Sequence, residues 1–241
     1  MKPALLAPGA VRSIEIEIDG EPIELDVTVR AQARRMILRV DPADGRVRLT
    51  LPPGASLGEA RRFLDRHAGW ISMQRARLPQ RVAFADGSQV PILGREHRIK
   101  HLPGRGKHPV WSEFGILWVT GTAEHLPRRV GDFLKARARS EIVRRAHDKA
   151  RGLPKKPGRI TLRDTRSRWG SCSSSGDLNF SWRLVMAPED VLDYVVAHEV
   201  AHLVHLDHSP AFWSLVCQLT DASEDARSWL RVNGARLHSY G

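Results

Sequence analysis

The segment that most constrains the fold lies towards the C-terminal end of the sequence, where residues 195–208 read VVAHEVAHLVHLDH. Its apolar residues recur at helical spacing, so the segment is expected to form a helix buried in the core. Glu199 lies within this segment, and a glutamate is seldom buried without a partner, because taking its charge out of water is costly. A metal ion bound by the histidines supplies that compensation, whereas a core helix with hydrogen-bonded histidines does not. The sequence therefore predicts a metal-binding helix.

His198, Glu199 and His202 form an H-E-x-x-H motif within this segment. Residues four apart lie on one face of a helix, about 6 Å apart along its axis, so both imidazoles can reach one ion. The glutamate beside the first histidine can reach a metal-bound water without ligating the metal. We therefore predict that His198 and His202 bind the metal and that Glu199 is the general base.

A catalytic zinc ion needs a third protein ligand and an open position for water. If the helix continues, His205 lies about 10 Å along the axis from His198, too far to share a compact site, and it is predicted instead to line the cleft and contact substrate. His208 follows the expected helix end and can fold back, so it is the predicted third ligand. Imidazole ligands favour one zinc ion as the cofactor. Three carboxylates on a later helix are the rival ligands: Asp221, Glu224 and Asp225.

The same part of the sequence resembles a known family. WGSCSSSGDLNFSWRLVMAPEDVLDYVV and HEVAHLVHLDHSPAFW are similar to the YgjP-like metallopeptidases, which are relatives of the SprT-like zincins. The similarity is dense over about 160–216 and weaker in RRMILRVDPADGRVRLTLPPGAS and FLDRHAGWI. It implies a zincin-like domain with a helix, a small, mainly antiparallel sheet, the HExxH helix and further helices. It also implies zinc ligation by His198, His202 and His208, with Glu199 as the base.

The pattern along the chain predicts an α+β protein with two parts. Residues 1–126 are expected to form a β-rich N-terminal region, because residues 13–29 and 36–52 alternate apolar and polar side chains around Asp-Gly turns. One helix is expected within this region, over about 56–78. Residues 127–241 are expected to form the zincin-like metal-binding catalytic domain.

Several local signals set the predicted element ends. Ser56 and Glu59 have the spacing of a capping box at the start of the first helix. A long basic helix over 127–151 is expected to end before Gly152. Three short strands are predicted after it, and Pro188 is expected to open the metal-binding helix.

Two arginines precede that helix in the sequence TRSRWGSCS, residues 165–173. On a strand, Arg166 and Arg168 point to one face about 7 Å apart, which suits a phosphate or a carboxylate. We predict that both bind substrate. The alternative is that they are surface arginines paired with Asp164 or Asp177.

The net charge of +11 is concentrated in residues 135–168, which carry 13 Lys and Arg residues against 3 acidic ones. This segment is a candidate contact for a nucleotide or nucleic acid, although it could equally be a solvated helix face. No apolar run approaches the roughly 20 residues of a membrane span, and no signal-peptide pattern is recognised at the N-terminus. Two distant cysteines indicate no disulfide framework. We therefore expect a cytoplasmic protein without a membrane partner.

The leading functional hypothesis is a zinc-dependent hydrolase of metallopeptidase type, in which a metal-bound water activated by Glu199 attacks a peptide bond. One alternative is a metal-dependent phosphohydrolase, a pyrophosphatase acting on a nucleotide, which the basic segment would favour. The other alternative is a nucleic-acid-associated protein whose metal is structural. The substrate is accordingly expected to be a peptide or a phosphate-bearing molecule.

Overall fold

The computed structural model describes residues 11–41, 45–104, 106 and 108–241. The expectation about a signal peptide rests largely on residues 1–10, which lie outside this range. The chain divides into two compact units, the first ending at Pro79 and the second spanning Gln80–Gly241. This division lies well before the boundary at residues 126 and 127 that the sequence predicted.

The first unit contains a four-stranded sheet and two helices. The sheet has the order β1-β2-β4-β3, in which β1 with β2 and β3 with β4 are antiparallel and β2 with β4 is parallel. Both predicted hairpins are therefore present, although residues 42–44 of the second turn lie outside the described part. The elements are β1 Val11–Ile18, β2 Glu21–Val29, β3 Ile37–Val40, β4 Val47–Leu51, α1 Leu57–Arg66 and α2 Ala68–Ala76.

The single helix predicted over 56–78 is two helices with a break at His67. The predicted capping box is confirmed, since Ser56 accepts a hydrogen bond from the backbone of Glu59 and the Glu59 carboxylate accepts one from the backbone of Ser56. The imidazole Nδ1 of His67 lies 2.7 Å from the carbonyl oxygen of Phe63, while the backbone N–H of His67 bonds to Leu64 instead. The imidazole of His67 therefore occupies the Phe63 carbonyl, which would accept the backbone N–H of His67 if the helix continued.

The described residues of the second unit form two sheets and four α-helices. One sheet has the order β5-β6-β8-β7 and the other has the order β10-β11-β9. The strands are β5 Gln89–Ile92, β6 Arg95–Leu102, β7 Val110–Glu113, β8 Ile116–Thr120, β9 Ile160–Arg163, β10 Gly170–Cys172 and β11 Leu178–Ser181. The helices are α3 Leu126–Lys149, α4 Glu189–Ala201, α5 Pro210–Leu219 and α6 Ser223–His238.

A single core explains why the boundary between the units falls at Pro79. Val130, Leu134 and Ile142 repeat along α3 at helical spacing and are fully buried. Ile99 of β6 and Leu117 of β8 belong to the same buried cluster. The strands before residue 126 therefore share a core with α3 and the helices that follow, and a division at α3 would split that core.

The small sheet beside α4 differs from the predicted one in two ways. β11 pairs antiparallel with β10 but parallel with β9, so only one of its two strand pairs is antiparallel. Residues 164–169 lie outside any strand, because β10 begins only at Gly170. Among the described helices, none combines the length and the apolar character that a bilayer span requires.

Candidate metal centre

Helix α4 holds the HExxH motif at the centre of the second unit. Val196, Ala197 and Val200 on this helix are fully buried, and Glu199 is only 6% exposed. The helix ends at Ala201, with His202 as its C-cap residue, and a turn follows. The prediction that the helix continues as far as His205 is therefore wrong.

His198, His202 and His208 come together at this helix end. Each offers one ring nitrogen, and these nitrogens all lie within 4.8 Å of one another. The Nε2 atoms of His198 and His208 are 3.3 Å apart. Two nitrogens bound tetrahedrally at zinc–nitrogen distances of 2.0–2.1 Å stand about 3.3 Å apart, so the His198–His208 pair has the spacing of two ligands of such an ion.

The surroundings fix which ring nitrogens face the centre. Nδ1 of His202 lies 2.9 Å from the backbone oxygen of His205, which leaves its Nε2 free to bind an ion. Nδ1 of His198 is buried and has no hydrogen-bond partner among the described residues. Its Nε2 is therefore the nitrogen that a ligand can reach. His205 contributes to this arrangement through its carbonyl group, since its imidazole is outside the cluster.

Helix α5 supplies an apolar wall behind the three imidazoles. The ring of Phe212, which is fully buried, has centroid distances of 4.9, 4.4 and 4.8 Å to His198, His202 and His208. The N-cap residue Ser209 accepts a hydrogen bond from the backbone of Phe212 and begins the helix. Packing against one rigid ring holds the three side chains in the orientations that a common ligand needs.

Burial also keeps two of the imidazoles neutral. Burial and the neighbouring His202 and His208 lower the pKa of His198 to about 4. Burial lowers the pKa of His202 as well. A histidine binds metal in its neutral form, so His198 and His202 are in the ligating state at neutral pH.

The carboxylate of Glu199 lies against the backbone of β10. A Cβ atom at Gly170 would stand 2.6 Å from its Oε1, so the absence of a side chain there makes room for the carboxylate. Burial raises the pKa of Glu199 to about 7, although the positive charge of Arg168 partly offsets the effect. A carboxylate with such a pKa can both accept and donate a proton near neutral pH.

A cleft of about 350 Å³ opens beside Glu199 and His198. Of the predicted substrate-binding residues, Arg168 lines the cleft, whereas Arg166 and His205 are not among its described lining residues. The strand geometry behind the Arg166 prediction is absent, since the hydroxyl of Thr165 bonds to the Arg168 carbonyl at 2.8 Å across a bend. The lining residues are Arg168, Trp169, Gly170, Tyr194, Val195, His198, Glu199, Arg227 and Leu230.

The rival carboxylates lie outside the histidine cluster. Within the described residues, the group close enough to share an ion consists of the three histidines alone. Asp221 lines a different cavity, between α3 and α4. Of the predicted third ligands, His208 is therefore the one that the fold brings to His198 and His202.

Two ionisable residues of the cleft, Tyr194 and Arg227, were missed in the sequence. Tyr194 precedes His198 by four residues on α4, and this helical spacing was the available signal. Arg227 lies on α6, with its Cζ 4.9 Å from the ring centroid of Trp213. No sequence pattern points to Arg227, because its place depends on how α6 packs against α4.

Strand β10 presents an outer edge next to Glu199. The backbone N–H of Ser181 bonds to the oxygen of Trp169, and that of Ser173 bonds to the oxygen of Asp177. Hydrogen-bonded pairs alternate along an antiparallel ladder, so the backbone groups of Gly170, between these pairs, point away from β11. The same alternation directs the backbone groups of Cys172 outwards.

Comparison with family models assigns the class of protein. The model described as "YgjP-like, metallopeptidase domain" matches residues 34–233, which defines a metal-dependent hydrolase of the peptidase type. The chain belongs to the YgjP-like family, as the resemblance in the sequence indicated. No curated protein and no solved structure matches the chain.

Proposed function

We propose that this protein is a zinc-dependent peptidase whose single ion is held by His198, His202 and His208, with Glu199 as the general base. The observation that carries the proposal is the cluster of three histidine nitrogens within 4.8 Å of one another, beside a buried carboxylate. Three imidazole ligands, two of them with Nε2 atoms 3.3 Å apart, suit zinc among the common divalent ions.

When bound, zinc acts as a Lewis acid that polarises the substrate carbonyl and acidifies water. Glu199 takes the proton from the attacking water and then gives it to the leaving nitrogen, for which a pKa of about 7 is suited. Phe212 and the carbonyl of His205 hold the imidazoles in place during these steps. The burial of Glu199 excludes bulk water from the proton it carries.

The outer edge of β10 supports a peptide as the substrate. An extended peptide can add to a strand edge through backbone hydrogen bonds, and the free backbone groups of Gly170 and Cys172 lie beside Glu199. Val195 and Leu230 provide apolar surface in the adjoining cleft for a side chain. A scissile bond held along this edge would therefore pass close to the base.

A phosphohydrolase acting on a nucleotide is the second candidate, because Arg168 in the cleft is suited to an anion.

A nucleic-acid-associated protein with a structural metal has less support. Much of the basic charge of α3 is paired within the unit, since Arg137 and Arg144 contact Glu141 at 2.9 and 3.1 Å and Lys149 contacts Asp193 at 2.7 Å.

The test compares the zinc-loaded protein with its Glu199→Gln variant, using an unfolded protein and nucleoside triphosphates as substrates. We expect the variant to retain its zinc and to lose roughly 10²–10⁴-fold in peptide cleavage, the usual contribution of a general base. Asp190→Asn, which removes an exposed carboxylate from the same helix, is the matched control and should cleave normally. Phosphate release that Glu199→Gln abolishes, without any peptide cleavage, would overturn the proposal in favour of the second candidate.

A further inference from the structure

The side chain of Arg227 projects from α6 to the metal cleft. Its Cζ lies 4.9 Å from the centroid of the Trp213 ring, a cation–π contact that orients the guanidinium. The Trp213 ring in turn lies 5.8 Å from the ring of His198 and 5.7 Å from that of His208. The Trp213 ring therefore lies near both Arg227 and two of the predicted metal ligands.

Arg168 brings a second guanidinium to the same cleft. It lines the cleft together with Glu199, and Arg227 lines the same cleft together with His198 and Tyr194. Both arginines are solvent-exposed. Among the described residues, neither forms an ion pair with a carboxylate.

The cleft therefore has an excess of positive charge. Arg168 and Arg227 are its two cationic lining residues, and Glu199 is the sole carboxylate that lines it in the described part of the chain. By contrast, Arg145 and Lys149, which lie outside this cleft, are both paired with Asp193. Two guanidiniums left unpaired beside a cation site attract an anionic group of the substrate.

We propose that Arg227, together with Arg168, binds a carboxylate of the peptide substrate and makes the cleft selective for acidic peptides. This inference rests on the proposed peptidase function and adds the substrate class to it. A carboxylate matches a guanidinium in shape and charge, and it can come from a Glu or Asp side chain or from a free C-terminus. The guanidinium–carboxylate contact forms in the bound substrate as well as in the transition state, so it lowers the Kd of the acidic peptide.

The test uses a set of quenched fluorescent peptides of one parent sequence. One peptide carries Glu beside the cleavage site and an amidated C-terminus, the second has Gln in place of Glu, and the third has no acidic side chain but a free C-terminal carboxylate. In the zinc-loaded wild type, we expect kcat/KM for an acidic peptide to exceed that for the Gln peptide by about 10-fold, the effect of one charge-assisted hydrogen bond. Preference for the first or the third peptide identifies which carboxylate is bound.

In Arg227→Gln, the ratio between the acidic and the Gln peptides should fall to about 2-fold or less, since one guanidinium contact is lost. The control is Arg231→Gln, which removes the same charge one turn further along α6, where Arg231 is exposed and bonds to Ser228. It should keep the wild-type ratio. The melting temperature and zinc content of both variants report whether the fold is intact.

A binding measurement separates this inference from the proposed function. Fluorescence anisotropy gives the Kd of each peptide for the zinc-loaded Glu199→Gln protein, with and without Arg227→Gln. Cleavage of the acidic and Gln peptides at equal rates by the wild type, with equal Kd values, would overturn the inference and leave the peptidase proposal standing. Absence of all peptide cleavage, with Arg227-dependent binding of the acidic peptide, would overturn the peptidase proposal and support the carboxylate site.

Discussion

At the scale of single residues, the position of the proposed base depends on a residue that has no side chain. Glu199 is buried against Gly170, whose backbone shows no left-handed φ that would itself require glycine. Glycine is therefore needed at position 170 because it leaves space for the Glu199 carboxylate, and not because of its backbone conformation. The close contact couples strand β10, which would hold a peptide, to the carboxylate that would act on it.

Gly170→Ala should accordingly reduce activity without removing the metal. The added methyl group would stand 2.6 Å from Oε1 of Glu199, so the carboxylate must move. A displacement of about 1 Å can cost roughly 100-fold in kcat/KM, and we expect a loss of that order. Metal analysis and peptide cleavage measure the two effects. Gly131→Ala on α3, where an added Cβ meets nothing within 4 Å, is the control.

An activity for Gly170→Ala equal to that of the wild type would show that Glu199 does not act from its present position.

At the scale of elements, an ion-pair network connects α3 to α4, which carries the HExxH motif. Arg145 is buried and contacts Glu141 on its own helix, and it also contacts Glu189 and Asp193 of α4 at 2.5 and 3.7 Å. Arg137 and Arg144 bind the same Glu141 carboxylate from the surface. The sequence indicated that the basic side chains of this helix could contact a nucleotide or nucleic acid. Several of them instead contact carboxylates of the same unit.

Glu141→Gln should destabilise the protein by about 1–3 kcal/mol at neutral pH, because Arg145 stays buried with one charged partner fewer. Burial disfavours the charged form of Glu141, but the hydrogen bonds from Arg145 and Arg144 outweigh it and hold its pKa below the usual value. A lowered pKa stabilises the fold at pH values above the unfolded-state pKa, about 4.3, and this contribution is lost as the pH falls through the folded-state pKa.

Urea unfolding at several pH values measures this prediction. The difference in free energy of unfolding between the wild type and Glu141→Gln should be full at pH 7 and should shrink in acid. Asp132→Asn is the matched control on the same helix, since Asp132 and its partner Arg128 are both exposed. A difference between wild type and Glu141→Gln that does not change with pH would contradict the role given to the charge.

At the scale of the whole molecule, each of the two units has its own buried cluster. The first cluster lies entirely within residues 18–71 and the second within residues 84–240. The second unit also joins its own ends, because Val82 pairs with Tyr240 and Arg81 donates hydrogen bonds to the oxygen of Gly241. All residues of the proposed metal site belong to this unit.

Residues 80–241 expressed alone should therefore fold and bind one metal ion per chain. A ligand that binds only the folded state at 1,000 times its Kd adds about 4 kcal/mol of stability, so saturating zinc should raise the melting temperature of the fragment. Chelation should reverse the rise in the fragment and in the full chain alike. Calorimetry and metal analysis provide the measurement, and a fragment that melts without cooperativity would refute the division at Pro79.

The sequence by itself determined the local features of this protein. The HExxH spacing, the capping box at Ser56, both hairpins and the long basic helix depend on residues close together along the chain, and such patterns follow from helix and strand periodicity. The family resemblance, which the family match over residues 34–233 confirms, extended these features to a hydrolase of the metallopeptidase type.

Only the tertiary structure decided which distant residues meet. Helix α4 ends at Ala201 so that the turn can bring His208 back to His198, whereas a longer helix would have carried it away. Arg168 reached the cleft and Arg166 did not, because the segment bends before β10 begins. The position of Arg227 in the cleft depends on how α6 packs, and no local sequence pattern indicates that packing. Contacts between elements depend on shape complementarity across the core and not on spacing along one element.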